Sequence, residues 1–559
     1  MAPTDASDDD QVIDSSPVPT SPMDEKPHPL YQEVAHAAAE RGQAATDRWA
    51  TSASSFFSLT RAELTRPRHG LPLVQFDPKA EARLRRKIDL MIVPTVALLY
   101  LFCFIDRANI GRVSPSPPHG TRTPFSPFTG NARLAGLESD LDLVGYDYNA
   151  VLSVFYVSYI VFEIPSNMAC KWIGPGYFLP FISLMFAICS ICTAFVHNYS
   201  QICAVRFLLG VFEAGMLPGI AYYMSRWYRR REMAFRLSLY IVMAPIAGAF
   251  GGLLASGILK LESFGSVRSW RMIFAIEGLI TGCLSLVAFA TLTDRPATAR
   301  WLSAEEKDLA VARVKSERVG TTEVLDQMDR PKMLRGIFSP VTLAVSFIFL
   351  LNNITVQGLA FFAPTIVKTI YPDASLISLQ LRTVPPYLVG AVFTLLIPFL
   401  SSRTDRRNLF IIVSAPLMMI GYIMFLATTD GQTRYGATFI IAAGAYSFGA
   451  LCNAQVSANV VSDTARSAAI GTNVMFGNIG GLISTWSFLP SDAPNYHIGN
   501  GLNLATSGTI LLSATALLFW MTADNQKRET KDVDDALDGL SQKQIQDLDW
   551  RHPGFRWKP

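Results

Sequence analysis

The sequence predicts an all-α membrane protein whose twelve transmembrane helices form two six-helix lobes. Half of the 559 residues are hydrophobic (50%) and only 17% are charged, whereas soluble domains carry about 25% charged residues. Apolar runs of the length that crosses a bilayer as a helix, roughly 20 residues, occur twelve times along the chain. A polar stretch over residues 294–336 divides them six and six, an arrangement typical of two-lobed helical membrane proteins.

The first lobe is expected to span residues 84–293 and the second residues 337–522, with residues 294–336 as the cytosolic loop between them. The apolar runs begin near Ile88, Asn149, Tyr177, Gln201, Leu237, Arg271, Ile337, Thr383, Asn408, Tyr435, Ala468 and Leu502. Residues 1–83 are rich in Asp, Ser, Pro and Ala and contain no apolar signal segment, which predicts a disordered cytosolic tail. Residues 523–559 are polar and predict a second cytosolic tail.

Basic residues cluster in loops that fall on one side of the predicted bundle. The clusters are RLRRK before the first run, SRWYRRREMAFR between the fourth and fifth, the loop 294–336, and SSRTDRRN between the eighth and ninth. Short loops rich in Lys and Arg remain in the cytosol, so we expect both termini to be cytosolic. We also expect the protein to lie in the plasma membrane. The net charge of +3 is too small to indicate a nucleic-acid partner.

The sequence offers little support for metal or enzyme chemistry. All seven cysteines fall in or beside apolar runs, and the Cys189-x-x-Cys192 pair has no further ligands placed to complete a metal site. We therefore expect free thiols and no metal. An integral-membrane enzyme is the least favoured function, because no HExxH, nucleophile-elbow or P-loop motif occurs.

Small residues recur at helical spacing in two of the apolar runs. The fifth run carries Ala244, Gly248, Gly252 and Ser256, and the eleventh carries Gly477 and Gly481. Small residues allow helices to approach closely in a bilayer. These stripes therefore predict seams where helices pack.

Ionisable residues inside a membrane cost several kcal/mol unless they are paired or face water, so each is a functional hypothesis. They are Asp106, Arg107, Glu163, Arg206, Glu213 and Glu277. Arg206 and Glu213 share one helix face and lie about 10.5 Å apart along the axis, which suits anion binding followed by proton transfer. The equally weighted alternative is that Arg206 pairs with a neighbouring carboxylate and holds the lobe together.

The two lobes differ in the polar groups they offer. Tyr156, Tyr159 and Glu163 share one face of the second run. The candidates in the second lobe are neutral: Asn352, Asn353, Gln357, Tyr446, Asn453, Ser457, Asn473 and Asn478. Positive charge for a ligand therefore comes from the first lobe, which favours an anionic substrate held by Arg at one end and by amides or aromatic side chains at the other.

Several motifs resemble the major facilitator superfamily, and more narrowly the fungal anion:cation symporters that include the allantoate, pantothenate and nicotinate permeases. They are DRANIG, FYVSYIVFEIPSN, RFLLGVFEAGMLPG, SRWYRRRE and DRPATARWLSAEE, and the closing QDLDWRHPGFRWKP is also similar. The stretches YIVMAPIAGAFGGLLASGIL and MLPGIAYYMSRWYRRRE resemble the nicotinate-permease branch in particular. The resemblance runs from about residue 84 to the end of the chain and implies the major facilitator fold.

The broader group, including vesicular glutamate and sialic-acid carriers, is similar in having R-x-N-(I/L)-G and R-x-x-x-G-x-x-E. By this resemblance Arg107 binds the substrate carboxylate, Glu213 couples protons and Arg206 tunes that acid or helps to bind. Asn109 belongs to the expected substrate-binding set. Asp106 and Glu163 complete the expected proton-coupling set, and Tyr156, Tyr159, Asn353, Gln357, Tyr446 and Asn453 complete the expected substrate-binding set. The vesicular carriers have a histidine where this chain has Leu152 and an arginine where it has Asn352 and Asn353, so a monocarboxylate fits better than a dicarboxylate.

The superfamily usually has G-x-x-x-D-R-x-G-R-R between its second and third helices, where this chain reads NMACKWIGPG. SSRTDRRN after the eighth run keeps a version of that motif. We therefore expect the gating contact to be built around Lys171 in one half and Asp405, Arg406 and Arg407 in the other.

An unusual Pro- and Ser-rich insertion covers residues 112–130 in the first outer loop. Removing these 19 residues joins DRANIG directly to NARLAGLESDLDL. We hypothesise that the insertion is a retained intron; the alternative is a real, lineage-specific loop.

The predicted function is proton-driven uptake of a small organic anion, with nicotinate as the first candidate, by a carrier that is monomeric in the bilayer and needs only the proton gradient and no cofactor. The alternatives are an exporter of an acidic fungal metabolite and a nutrient sensor that has kept the fold without transport.

Overall fold

The structure is a computed structural model, and it describes part of the chain. The described residues are 77–110, 137–143, 147–258, 261, 270–315, 329–371, 376–487, 492, 495–530, 533, 537–539, 544–545 and 548–559. Most of the predicted N-terminal tail and the whole of the insertion at 112–130 lie outside the described residues. Within the described ranges the chain consists of helices, turns and loops, without strands.

Twelve long helical segments account for most of the described chain, and we number them as spans 1 to 12. Spans 1 to 6 are Pro78–Ile110, Asp147–Ile173, Pro175–Thr193, Tyr199–Glu213 with Met216–Trp227, Arg230–Ile241 with Met243–Ile258, and Trp270–Thr291. Spans 7 to 12 are Pro340–Ile370, Leu376–Thr404, Arg407–Ala427, Gly431–Ala445 with Phe448–Ala458, Asp463–Thr485, and His497–Glu529. The predicted all-α membrane fold is confirmed.

Span 11 differs from the others in composition. In the described chain, 11 helices are long and apolar enough to cross a membrane, and Asp463–Thr485 is not among them, although it has 23 residues. Its sequence contains many Ser, Thr and Asn side chains, and 18 of its 23 residues are buried. Because the neighbouring helices enclose span 11, it does not need a lipid-facing apolar surface.

Successive spans run in opposite directions, so the loops after even-numbered spans lie together at one end, which we call the basic end. The predicted inter-lobe loop also contributes two helices there, Ala304–Lys315 and Arg330–Ile337. Span 1 begins at Pro78, within the segment predicted as tail. Residues 548–559 also lie at this end, where Phe555 and Trp557 are buried in the core of spans 7 to 12.

Three spans are interrupted near the middle of the bundle. Span 4 breaks after Glu213, span 5 at Val242, and span 10 at Tyr446 and Ser447. Discontinuous helices are a feature of membrane transport sites, where they present backbone groups and side chains to a ligand. These breaks therefore indicate the depth at which to look for a binding site.

Glycines of the predicted seams face other helices closely. A Cβ on Gly248 would lie 2.8 Å from the ring of Tyr387, and one on Gly481 would lie 2.9 Å from the ring of Tyr156. Both contacts join a span of the first half to a span of the second. Close approach between the halves therefore depends on the missing side chains at these positions.

Candidate functional site

A cavity of about 60 Å³ lies between the two halves at the level of the helix breaks. Spans 1, 2, 4 and 5 line it from the first half, and spans 7, 10 and 11 line it from the second. Its polar lining residues are Tyr100, Arg107, Tyr159, Asn352, Asn353, Gln357, Tyr446 and Asn478. The cavity is small and mixes aromatic rings with amides, as ligand sites commonly do.

Arg107 is the one charged residue among the described residues that line the cavity. Its Nε donates a hydrogen bond of 3.1 Å to Oε1 of Glu213, and its Nη2 donates to the same oxygen. The Glu213 side chain is fully buried, whereas that of Arg107 is 10% exposed. The pair is thus a buried ion pair whose cationic member borders the cavity.

Aromatic rings surround the Arg107 guanidinium. Its Cζ lies 5.2 Å from the ring centroid of Phe104, 5.4 Å from that of Phe155 and 5.1 Å from that of Tyr159. Ring faces attract a cation at such distances. The rings therefore help to hold the guanidinium in place.

A second charged pair lies behind the first. Nη1 of Arg206 is 3.9 Å from Asp106 Oδ2, and the Ser190 hydroxyl donates to Asp106 Oδ1 at 2.6 Å. Arg206 and Asp106 are both 2% exposed and neither lines the cavity. The geometry therefore agrees with the interpretation that Arg206 pairs with a neighbouring carboxylate, and Glu213 pairs with Arg107.

Glu163 connects the two halves. Its Oε2 accepts a hydrogen bond of 3.0 Å from Nδ2 of Asn478, which lines the cavity from span 11. Glu163 is fully buried. A buried carboxyl group that contacts both halves is placed to respond when the halves separate.

The second half presents a neutral wall to the cavity. Asn352 donates to the carbonyl of Ala445 at 3.2 Å, and Asn353 donates to the carbonyl of Phe349 at 2.9 Å. Gln357 and Tyr446 complete this wall. Amides fixed in this way can offer hydrogen bonds to a neutral part of a ligand while Arg107 faces its charge.

Other residues predicted for substrate binding lie elsewhere. The Asn109 side chain is outside the described residues. The ring of Tyr156 packs against Gly481 rather than lining the cavity. Asn453 accepts a hydrogen bond of 3.2 Å from Asn473 and ties span 10 to span 11.

Lys171 makes one of the contacts between the halves at the basic end. Its Nζ lies 3.7 Å from Asp463 Oδ2 and donates a hydrogen bond to the Thr464 hydroxyl. The Tyr222 hydroxyl donates to the same Asp463 oxygen at 2.7 Å. Lys171 and Tyr222 belong to the first half, and Asp463 and Thr464 begin span 11, so this cluster closes the basic end.

The predicted partner cluster after span 8 is placed differently. Nη2 of Arg407 donates to Asp405 at 2.8 Å, and Asp405 is 3.5 Å from Nζ of Lys558. The N-cap residue Arg406 starts span 9 beside them. In the described contacts these residues face the chain's C-terminal segment, whereas Lys171 contacts span 11.

Sequence patterns missed several members of both sites. Tyr100 and Phe104 line the cavity, and the thiol of Cys103 donates to Glu213 Oε1 at 2.9 Å. Their positions follow from the spacing of Arg107 on span 1, since residues three, four and seven apart share a helix face. Asp463 could have been found as an acidic residue directly after Ser462, at the start of an unusually polar span.

Comparison with known proteins gives consistent matches. Residues 96–485 match the Major Facilitator Superfamily. The uncharacterized transporter C1683.12 of Schizosaccharomyces pombe is 32% identical over 456 residues, covering 82% of this chain and 89% of that protein. The major facilitator-type transporter hxnP of Emericella nidulans is 29% identical over 472 residues, covering 83% of this chain and 90% of that protein.

Solved structures share the fold. The proton:xylose symporter XylE, bound to 6-bromo-6-deoxy-D-glucose, aligns with a TM-score of 0.59 at 16% identity, covering 78% of this chain and 96% of that one. The human organic anion transporter MFSD10 aligns with a TM-score of 0.52 at 14% identity, covering 76% and 99%. At these identities the likeness concerns the fold alone.

Proposed function

This chain belongs to the Major Facilitator Superfamily and is a multi-pass membrane transporter, and from that premise we propose that it carries a small organic anion together with protons. One observation carries the proposal: the charged residue that borders the central cavity, Arg107, is paired with the fully buried carboxyl group of Glu213. A substrate carboxylate and Glu213 would therefore compete for one guanidinium.

This competition supplies a physical reason for proton coupling. Removing the charge from one partner of a buried ion pair leaves the other uncompensated, at a cost of about 3–5 kcal/mol. Protonation of Glu213 in the empty site leaves the charge of Arg107 uncompensated and is therefore unfavourable. A bound substrate carboxylate compensates that charge, so protonation becomes easier. Proton and substrate then bind cooperatively, and a coupling of about 3 kcal/mol corresponds to an affinity change of about 100-fold.

The site favours a compact monocarboxylate with an aromatic or otherwise flat body. Among the residues that the structure describes, a single cationic group faces the cavity from the first half, and the amides of Asn352, Asn353 and Gln357 face it from the second. Aromatic rings next to Arg107 favour flat apolar surfaces. Nicotinate combines these features, and the sequence resemblance to nicotinate permeases makes it the first compound to test.

Glu163 is the second proposed proton site. Its hydrogen bond to Asn478 joins the halves beside the cavity, so protonation of this carboxyl group would change the strength of a contact between the halves. We propose that protonation of Glu163 alters its hydrogen bond to the second half, whereas Glu213 is the group that substrate displaces from Arg107.

The membrane orientation follows from the basic end. The loops rich in Lys and Arg lie there together with the end of span 12, and the positive-inside rule places that end in the cytosol. We propose location in the plasma membrane and uptake as the direction of transport. Substrate accumulation in everted vesicles, with none in right-side-out vesicles under an inward proton gradient, would identify export instead.

The test compares Glu213→Gln with the wild type in uptake of a panel of radiolabelled monocarboxylates at acidic and neutral external pH. The glutamine keeps the shape of the side chain and cannot carry a proton between the two sides. We expect Glu213→Gln to retain exchange of labelled for unlabelled substrate and to lose accumulation driven by a pH gradient.

Glu277→Gln is the matched control, because Glu277 is a buried carboxyl group of the first half that does not line the cavity. Its pH-driven accumulation should match that of the wild type. Undiminished gradient-driven accumulation in Glu213→Gln, at equal surface expression, would remove Glu213 from the coupling mechanism.

A further inference from the structure

Residues 548–559, which we call the strap, fold back against the second half at the basic end. Phe555 and Trp557 are buried, and Trp557 Nε1 donates to Asp524 at 2.6 Å. The Lys558 carbonyl accepts hydrogen bonds from Gln455 at 2.8 Å and from Asn459 at 3.1 Å. The strap is therefore anchored by buried rings and by bonds to the ends of spans 10 and 12.

Asp549 connects the strap to the start of span 11. Its Oδ1 accepts the backbone N–H of Val461 at 3.0 Å, and its Oδ2 accepts that of Ser462 at 2.9 Å. Asp549 is 4% exposed and has a φ of 51°, in the left-handed region. Such a conformation is uncommon outside glycine and persists where surrounding contacts hold it.

The residues held by Asp549 come directly before Asp463 and Thr464, which together with Lys171 we call the gate. Ser462 is the N-cap of span 11 and accepts a hydrogen bond from the N–H of Ala465. Asp463 and Thr464, which follow it, are the partners of Lys171 across the halves. Asp549 is thus hydrogen-bonded to the N-cap residue of span 11, and the next two residues of the chain contact Lys171 at the basic end.

We propose that the strap positions Asp463 and Thr464, the two residues of the gate that belong to span 11. Docking of residues 548–559 then stabilises the conformation in which the basic end is closed. In its described hydrogen bonds and ion pairs, the strap contacts spans of the second half and the helix Arg330–Ile337, and none joins it to the first half. The strap therefore holds the first residues of span 11 in place, where Lys171 can contact them. Asp549 is a positioning residue, since it acts through Asp463 and Thr464.

Alternating access requires the basic end to open, which separates Lys171 from Asp463 and Thr464. Two hydrogen bonds to a buried carboxylate hold the cap, and losing them should raise the fraction of open gates by roughly tenfold. The strap would act on this step whichever substrate the cavity carries, so the proposal does not depend on the anion assignment.

Gly471 offers a reporter position for gate opening. A Cβ there would lie 3.5 Å from Asn167 of span 2, an ordinary contact across the halves. We would introduce Gly471→Cys in the full chain with the native cysteines replaced, and measure alkylation by a membrane-impermeant maleimide in lipid nanodiscs. A second reporter protein keeps only native Cys452, which is fully buried in the core of the second half.

Asp549→Asn is the test variant, and Asp538→Asn is the matched control because Asp538 is exposed. We expect Asp549→Asn to raise alkylation at Gly471→Cys roughly tenfold and to leave Cys452 protected, while Asp538→Asn changes neither. An unchanged rate at Gly471→Cys would overturn the proposal. An equal rise at Cys452 would also overturn it, because the strap would then only hold the fold of the second half together.

Discussion

The two halves of the bundle differ in where they carry charge. Asp106, Arg107, Glu163, Arg206 and Glu213 lie deep in the first half, and each is buried or nearly so. In the second half, none of the described residues that line the cavity is charged, and the cavity wall there consists of amides, aromatic rings and apolar groups. Two lobes of similar topology thus contribute different chemistry.

This difference underlies separate proposed roles for the two halves. In the proposed mechanism, a buried ion pair in one half exchanges its partner for a substrate or a proton, and this exchange couples the two ligands. In the same proposal, neutral amides in the other half bind the substrate without changing charge, so they contribute affinity and specificity with little coupling. The second half instead contains the strap-braced start of span 11, against which the first half closes.

The largest effect is expected from Arg107→Ala. It removes the cation that borders the cavity and leaves Glu213 without its partner, so uptake efficiency (kcat/KM) should fall by about 100-fold or more. Radiolabelled uptake normalised to surface expression measures this. Arg434→Ala is the control, because Arg434 is a buried arginine of the second half that bonds to Thr428 and Asn495 away from the cavity. Equal losses in both variants would contradict a special role for the first half.

A smaller effect is expected on the neutral wall. Gln357→Ala should raise KM by about tenfold, the order of one lost hydrogen bond to a ligand, and leave the pH dependence of uptake unchanged. Asn453→Ala is the comparison, since Asn453 lies off the cavity, and its KM should stay near that of the wild type. If Gln357→Ala also shifted the pH profile, the proposed separation between coupling and recognition would fail.

The smallest effect is expected at His552 in the strap, whose Nδ1 accepts the N–H of Gly554 at 3.0 Å. Burial lowers the pKa of His552 below its usual value of 6.5, so the docked strap favours the neutral ring. Docking should be at full strength above about pH 6.5 and weaken slightly as the pH falls.

Hydrogen exchange of the strap amides measures this weakening. The ratio of exchange rates between wild type and His552→Gln, taken at each pH, cancels the intrinsic pH dependence of exchange. The ratio should rise on acidification, and a flat ratio would show that His552 does not control docking. The same substitution should leave Glu213-dependent uptake at neutral pH unchanged, which separates the two pH-sensitive regions.

Much of the fold could be predicted because a bilayer imposes length and polarity on every span. Eleven of the twelve predicted starts fall inside the corresponding helices, and the other, Ile337, ends the short helix just before span 7. The eleven include the start in span 11, which is too polar to meet a hydropathy criterion. The ionisable residues of the first half were also recognisable from sequence, since charge inside an apolar run is rare and costly. Arg107, Glu213 and Glu163 stand out on that basis alone.

Pairing could not be predicted in the same way. Helical spacing placed Arg206 and Glu213 on one face, yet span 1 supplies the partner of each: Asp106 for Arg206 and Arg107 for Glu213. The gate shows the same limit, because Lys171 meets Asp463, almost 300 positions further along the chain. No local pattern relates residues so far apart in sequence.

The sequence by itself determined the number of spans, their alternating direction, the basic end and the charged residues within the apolar runs of the first half, because each depends on local hydrophobicity and charge. Only the tertiary structure decided which charges pair, which amides face the cavity and that the strap braces the start of span 11. Those features depend on how helices rotate and pack against one another, and rotation is set by contacts between distant segments.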